Sequence, residues 1–83
     1  MAAVTVLLFG PLRDLAGWRV RTIDPAPVSL PALKAWLGAE DDRLGAALDG
    51  PGVRAAVDKV IAAGDAPLRP GAEVAFLPPM SGG

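Results

Sequence analysis

The spacing of hydrophobic residues changes period several times along the chain. Val4-Thr5-Val6-Leu7-Leu8-Phe9 is a run of β-branched and apolar residues stopped by Gly10-Pro11. It predicts a strand, and a central one, because both of its faces are mostly apolar. Leu12-Arg13-Asp14-Leu15-Ala16 predicts a helical turn ahead of Gly17. Trp18-Arg19-Val20-Arg21-Thr22-Ile23 then alternates as a second strand, antiparallel to the first across a wide loop. After Asp24-Pro25-Ala26-Pro27, Ser29 is placed to cap a helix whose first turn tolerates Pro31. Leu30, Leu33, Trp36 and Leu37 recur at helical spacing, so this stripe, Trp36 included, is expected to cover one face of the sheet, with Gly38 as the left-handed residue that ends the helix. Asp41 or Asp42 is placed to cap a shorter helix that runs through Leu48 to the turn Asp49-Gly50-Pro51-Gly52. Ala55-Ala56-Val57-Asp58-Lys59-Val60-Ile61 predicts a third strand, and Glu73-Val74-Ala75-Phe76-Leu77 a last one beyond a proline-bounded loop.

The order is therefore strand, strand, helix, short helix, strand, strand. This is an α+β arrangement, and it allows the β-grasp architecture: a mixed sheet with one main helix packed on one face and the first and last strands adjacent and parallel in the middle. A ferredoxin-like split βαβ would need a second long helix between the last two strands, and no segment supplies one. We expect a single domain over residues 1–83, with 78–83 an extended, flexible C-terminal tail. At this length stability depends on one compact core.

Composition narrows the chemistry. The 83 residues include no Cys and no His, which excludes disulfides, thiolate ligands and imidazole acid-base chemistry and leaves no expected metal site. The adjacent Asp41 and Asp42 lack the further ligands a cation needs, so a capping role is expected for them. A net charge of −1 with interspersed signs argues against nucleic acid as a partner. The apolar run at the N-terminus has no basic segment before it and ends at Gly10-Pro11, too short for a signal peptide or a membrane span, so we expect a cytoplasmic protein with no membrane partner.

What remains is the C-terminal segment Phe76-Leu77-Pro78-Pro79-Met80-Ser81-Gly82-Gly83. A Gly-rich end alone can be simple fraying. Here a hydrophobic strand runs first into two prolines, which stiffen its exit, and then into two glycines, which can pass as bare backbone through a channel too narrow for a side chain. The candidate reactive group is the Gly83 carboxylate.

Three blocks of the chain resemble a known family, the ubiquitin-like sulfur carriers, and within it most closely the small subunits of molybdopterin synthase. Phe9 to Gly17 resembles the family's first-strand exit, and Ala56-Val57-Asp58-Lys59 its Ala-Val-Asn stretch. The segment from Pro67 to Gly83 resembles its signature of Pro-Leu, Gly-Asp-Glu-Val, an apolar pair, Pro-Pro, two variable residues and Gly-Gly. Ala72 stands in place of the usual Asp, Asp58 in place of Asn, and Leu77 in place of a common aromatic.

The resemblance implies that Gly83, with Gly82 before it, is adenylated by a ubiquitin-activating-like adenylyltransferase that uses ATP, and is then thiocarboxylated from a sulfur donor protein. It implies insertion of the tail into the molybdopterin synthase large subunit and donation of sulfur to cyclic pyranopterin monophosphate. The chain would be a consumable carrier subunit with no bound cofactor. The same Gly-Gly ending occurs in carriers for thiamine, cysteine or tRNA thiolation and in protein modifiers joined to a target lysine, and a plain β-grasp interaction domain also fits; these alternatives stay open.

Strand parity adds a docking surface. The polar Thr5 suggests that Thr5, Leu7 and Phe9 face away from the helix, and Lys59 marks the set of Val57, Lys59 and Ile61 as solvent-accessible. With Leu77 on the same side, Phe9, Ile61 and Leu77 would form an apolar patch that a partner covers. The expected partner-binding set is Phe9, Arg13, Ile61, Leu77 and the tail residues Pro78, Pro79, Met80 and Ser81.

Overall fold

The structure, a computed structural model, describes residues 3–79. Strand β1 (Val4–Leu8) is followed by helix α1 (Pro11–Ala16), strand β2 (Val20–Ile23), helix α2 (Leu30–Glu40), helix α3 (Asp42–Leu48) and strands β3 (Arg54–Val57), β4 (Val60–Ile61) and β5 (Glu73–Leu77). They form one five-stranded sheet in the order β2-β1-β5-β3-β4. β1 and β5 are parallel, with Val6 opposite Val74 and Leu8 opposite Phe76; the other pairs are antiparallel. This is the β-grasp arrangement.

One face of the sheet carries the core. Val4, Val6 and Leu8 of β1, Val74 and Phe76 of β5 and Ala55 of β3 pack in one cluster with Leu30, Leu33 and Leu37 of α2 and Leu44 and Leu48 of α3. Burial of each large member contributes about 1.5–3 kcal/mol, so the alternation along the two central strands fixes their register.

The helix starts follow from their caps. Ser29 Oγ accepts from the Ala32 amide at 3.2 Å, and Asp41 Oδ1 accepts from the amides of Arg43 and Leu44 at 3.1 and 3.2 Å. The expected end of α2 is corrected: it runs two residues beyond Gly38. Gly38 stays helical because it serves packing, since a Cβ built on Gly45 of α3 would lie 2.6 Å from the Gly38 Cα.

The expected third strand over 55–61 is also corrected. It is a hairpin, β3 and β4, turned at Asp58 (φ 49°) and Lys59 (φ 72°). Two successive positive φ values suit the right-handed twist of a two-residue hairpin. The turn is tied to β5, because the Glu73 amide donates to Asp58 Oδ1 at 2.9 Å and the Asp58 amide donates to the Glu73 carbonyl at 2.8 Å.

Trp36 lies outside the core, 39% exposed. Its indole and that of Trp18 each have the Arg21 guanidinium 5.4 Å from the ring centroid, a distance at which a cation is attracted to an aromatic face. Among the described residues no helix is long and apolar enough to cross a membrane.

Candidate functional site

The central strand β5 delivers the chain to Pro78 and Pro79, and the site is built around that exit. The parallel partner β1 ends beside it and leads into Phe9 and Gly10, while the antiparallel partner β3 begins beside it, with Arg54 opposite Leu77. A concavity of about 410 Å³ lies there, lined by Gly52, Arg54, Leu77, Pro78 and Pro79. Met80, Ser81, Gly82 and Gly83, the part of the expected site with the reactive carboxylate, lie outside the described residues.

The sheet face opposite the helices is apolar along one full row. Residues paired across strands share a face, and the pairs Leu7–Val20, Leu7–Ala75, Ala75–Ala56 and Ala56–Ile61 run from one edge of the sheet to the other. Val20 is 48% and Ile61 52% exposed, at the two ends of the row. Beyond it toward the tail come Leu77, half-buried, and Phe9, 42% exposed, which continues the alternation of β1.

The structure therefore brings Phe9, Ile61 and Leu77 to one face, but Ile61 arrives by a different route from the one the sequence suggested. It is opposite Ala56 in the hairpin, and Lys59, expected on the same strand face, occupies the turn. Val57 is on the helix side, opposite Val74, so the expected set of Val57, Lys59 and Ile61 does not exist. The sequence reading also missed Val20, Ala56 and Arg54. Pairing across strands could have revealed Ala56, had the turn at Asp58-Lys59 been recognised.

Arg13 sits on the exposed side of α1, with its Nε 3.7 Å from Asp14 Oδ1, a surface contact of little energetic weight. A larger concavity, about 530 Å³, is lined by other residues, including Trp18, Arg21 and Glu40 to Arg43. It is open, and Arg21 and Glu40 neutralise each other there. No buried polar or charged side chain occurs among the described residues, and no group of three His, Cys, Asp or Glu there could hold a metal ion. The described residues thus present an apolar surface and a chain exit.

Comparison with known proteins agrees with this shape. Residues 6–83 match the model of the ThiS family. The chain is 35% identical over 80 residues to the molybdopterin synthase sulfur carrier subunit of Escherichia coli (strain K12), a match that covers 96% of this chain and 99% of that one. Among solved structures, the small archaeal modifier protein 1 of Methanosarcina acetivorans superposes with a TM-score of 0.85 at 21% identity, covering 100% of this chain and 98% of that one, which shows the ubiquitin-like β-grasp fold. A chain from the complex of subunits 1 and 2 of the molybdopterin-converting factor of Helicobacter pylori 26695 superposes with a TM-score of 0.67 at 26% identity, covering 98% of this chain and 99% of that one.

Proposed function

This chain belongs to the ThiS family, and from that premise we propose that it is the sulfur carrier subunit of a molybdopterin synthase, working in the cytoplasm through a thiocarboxylate at Gly83. The observation that carries the reading is the near full-length identity to a molybdopterin synthase sulfur carrier subunit, combined with the Gly82-Gly83 pair that follows the Pro78-Pro79 exit of β5.

The chemistry divides between this chain and its partners. A carboxylate is a poor electrophile, so an adenylyltransferase related to ubiquitin-activating enzymes joins Gly83 to AMP from ATP and releases pyrophosphate. The terminal sulfur of a donor persulfide then attacks the acyl carbon and AMP leaves. A thiol supplies the two electrons that cleave the remaining S–S bond, leaving a C-terminal thiocarboxylate, ionised and strongly nucleophilic at neutral pH. Docked on the large subunit, that sulfur forms a C–S bond to a carbon of cyclic pyranopterin monophosphate as an oxygen substituent leaves that carbon, and water then cleaves the acyl–sulfur bond, so that the sulfur stays on the pterin and the Gly83 carboxylate is regenerated. Each step uses catalytic groups of the partner, consistent with a chain that has no Cys or His and no buried titratable group among its described residues. The chain binds no cofactor of its own and is consumed and reloaded as a co-substrate.

The apolar row on the open sheet face fits the large subunit as its partner. The complex of subunits 1 and 2 from Helicobacter pylori supports a two-subunit assembly for a chain of this fold.

The test is to incubate the chain with its activating enzyme, ATP and a persulfide donor and to measure intact mass and the C-terminal peptide. One oxygen-to-sulfur exchange on the peptide ending at Gly83 is expected, and removal of Gly83 should abolish it while leaving the thermal melt unchanged. No exchange with active partners would overturn the carrier reading, and isopeptide-linked adducts on cellular proteins in its place would favour a protein modifier.

A further inference from the structure

Two glycines 42 positions apart in sequence, Gly10 and Gly52, lie close against the root of the tail at Pro78 and Pro79. A Cβ built on Gly10 would lie 3.3 Å from Cγ of Pro78, and one built on Gly52 would lie 3.0 Å from Cβ and 3.4 Å from Cγ of Pro79. The separations of 3.0 and 3.3 Å are tighter than most side-chain contacts, so the neighbour would have to give way by a few tenths of an ångström. A proline ring is closed onto its own backbone and cannot swing aside as a flexible side chain would. The two glycines reach the prolines from opposite sides, because β1, which Gly10 follows, and β3, which Gly52 precedes, are the two neighbours of β5.

The positive φ of these glycines does not explain the contact. Gly52 has φ 81°, and so does Gly17, yet a Cβ on Gly17 would meet nothing within 4 Å; the same holds for Gly71 at φ 88°. Left-handed backbone alone therefore leaves room for a side chain, whereas Gly52 combines it with a closed seat for a ring.

We propose that Gly10 and Gly52 are positioning residues that seat Pro78 and Pro79 and so fix the heading on which the chain leaves the domain toward Gly83. This rests on the reading that Gly83 is the reacting residue. A terminus that must thread a partner's narrow channel gains rate when its root is already aimed, since part of the orientational search is completed before docking. The sheet face would set how firmly the carrier docks, and the seat would set how often a docked carrier presents its carboxylate in line.

The matched pair of left-handed glycines supplies the experiment. Gly52→Ala and Gly17→Ala each put an alanine at φ 81°, and only the first also pushes on Pro79. Gly17→Ala should lower the melting temperature through the backbone alone, and Gly52→Ala by at least as much, with both still folded at the assay temperature. Sulfur loading by the activating enzyme should then separate them: Gly52→Ala is expected to lower kcat about tenfold or more, with KM held within about twofold because docking is unchanged, while Gly17→Ala loads at the wild-type rate. Proton NOEs between position 52 and the Pro79 ring test the seat without any partner. They should be present in the wild type and in Gly17→Ala and lost in Gly52→Ala. Loss of the NOEs with loading at the Gly17→Ala rate would overturn the positioning role, and NOEs absent from the wild type would overturn the seat itself. Failure of the wild type to load sulfur would instead sink the carrier reading, an outcome the NOEs keep distinct.

Discussion

Arg21 on the edge strand β2 and Glu40 in the last turn of α2 form a two-pronged ion pair, with Arg21 Nη2 donating to Glu40 Oε2 at 3.2 Å and Nη1 donating to Oε1. The pair joins the open edge of the sheet to the helix that covers it, and the indoles of Trp18 and Trp36 flank the same guanidinium. The hydrogen bond from Arg21 holds the Glu40 carboxyl below its ordinary range, and the bond to Glu40 raises Arg21 from its own.

The sign of the resulting pH dependence follows from Glu40. Its pKa is lower folded than unfolded, so the pair's contribution is complete above the ordinary carboxylate range and is lost as the pH falls through the depressed folded value. Glu40→Gln should therefore melt below the wild type at neutral pH, and the two melting temperatures should converge in acid. Parallel curves across the acid range would show that Glu40 carries none of this dependence.

Gly45→Ala should destabilise the domain by about 1–3 kcal/mol, because its Cβ must displace the backbone of α2 in a packed crossing. A Cβ on Gly38 would lie 3.4 Å from the Gly45 Cα, close to ordinary contact, and Ala is the better helix former, so Gly38→Ala should change stability far less. Urea unfolding of the two variants checks the contrast. Equal losses would mean that the helices do not cross as tightly as the structure shows.

Asp58→Ala should cost about 1–2 kcal/mol, since it removes the acceptor for the Glu73 amide and puts Ala at a positive φ that Asp tolerates better. Lys59→Gly should stabilise by about 0.5–1 kcal/mol, because its φ of 72° suits Gly. Chemical denaturation of both variants reads the two signs, and a stabilising Asp58→Ala would contradict the turn geometry.

The two central strands were legible from their runs of β-branched and apolar residues, and the polar Thr5 put Val4, Val6 and Leu8 on the helix side, where they are buried. The cap at Ser29 was legible, and that of α3 was narrowed to Asp41 or Asp42, because a short side chain accepting from a nearby amide is a local interaction; the structure uses Asp41. The features that were not legible depend on distant partners. Gly38 reads as a helix end until Gly45 is seen against it, and Trp36 reads as core until Arg21, fifteen positions away, is seen under its ring. The hairpin was hidden because Asp58-Lys59 lacks the glycine that usually marks such a turn. That one omission changed the side of the sheet assigned to Val57. In the candidate site, the prolines at 78 and 79 are plain in the sequence, while the seats at Gly10 and Gly52 exist only once β1 and β3 flank β5.

The face assigned to docking makes the sharpest prediction. Phe9 and Leu77 lie on the open side of the sheet and Val6 and Val74 on the helix side, fully buried. A carboxylate at position 9 or 77 remains in contact with water in the free carrier and must lose that water when a partner covers the face, whereas at position 6 or 74 it must be desolvated for the domain to fold at all. Phe9→Asp and Leu77→Asp should therefore weaken binding to the proposed large-subunit partner by at least about 2 kcal/mol, the range of an interface hot spot, while each still folds. Val6→Asp and Val74→Asp should leave no cooperative melt. Ile61→Asp, at the far end of the apolar row, separates a broad interface from a narrow one: it should weaken binding as well if the partner covers the whole row, and leave it unchanged if the contact is confined to the tail end. Thermal melts with calorimetric binding on the five variants decide the matter, and a Leu77→Asp chain that unfolds as completely as Val74→Asp would remove the open face as the docking surface.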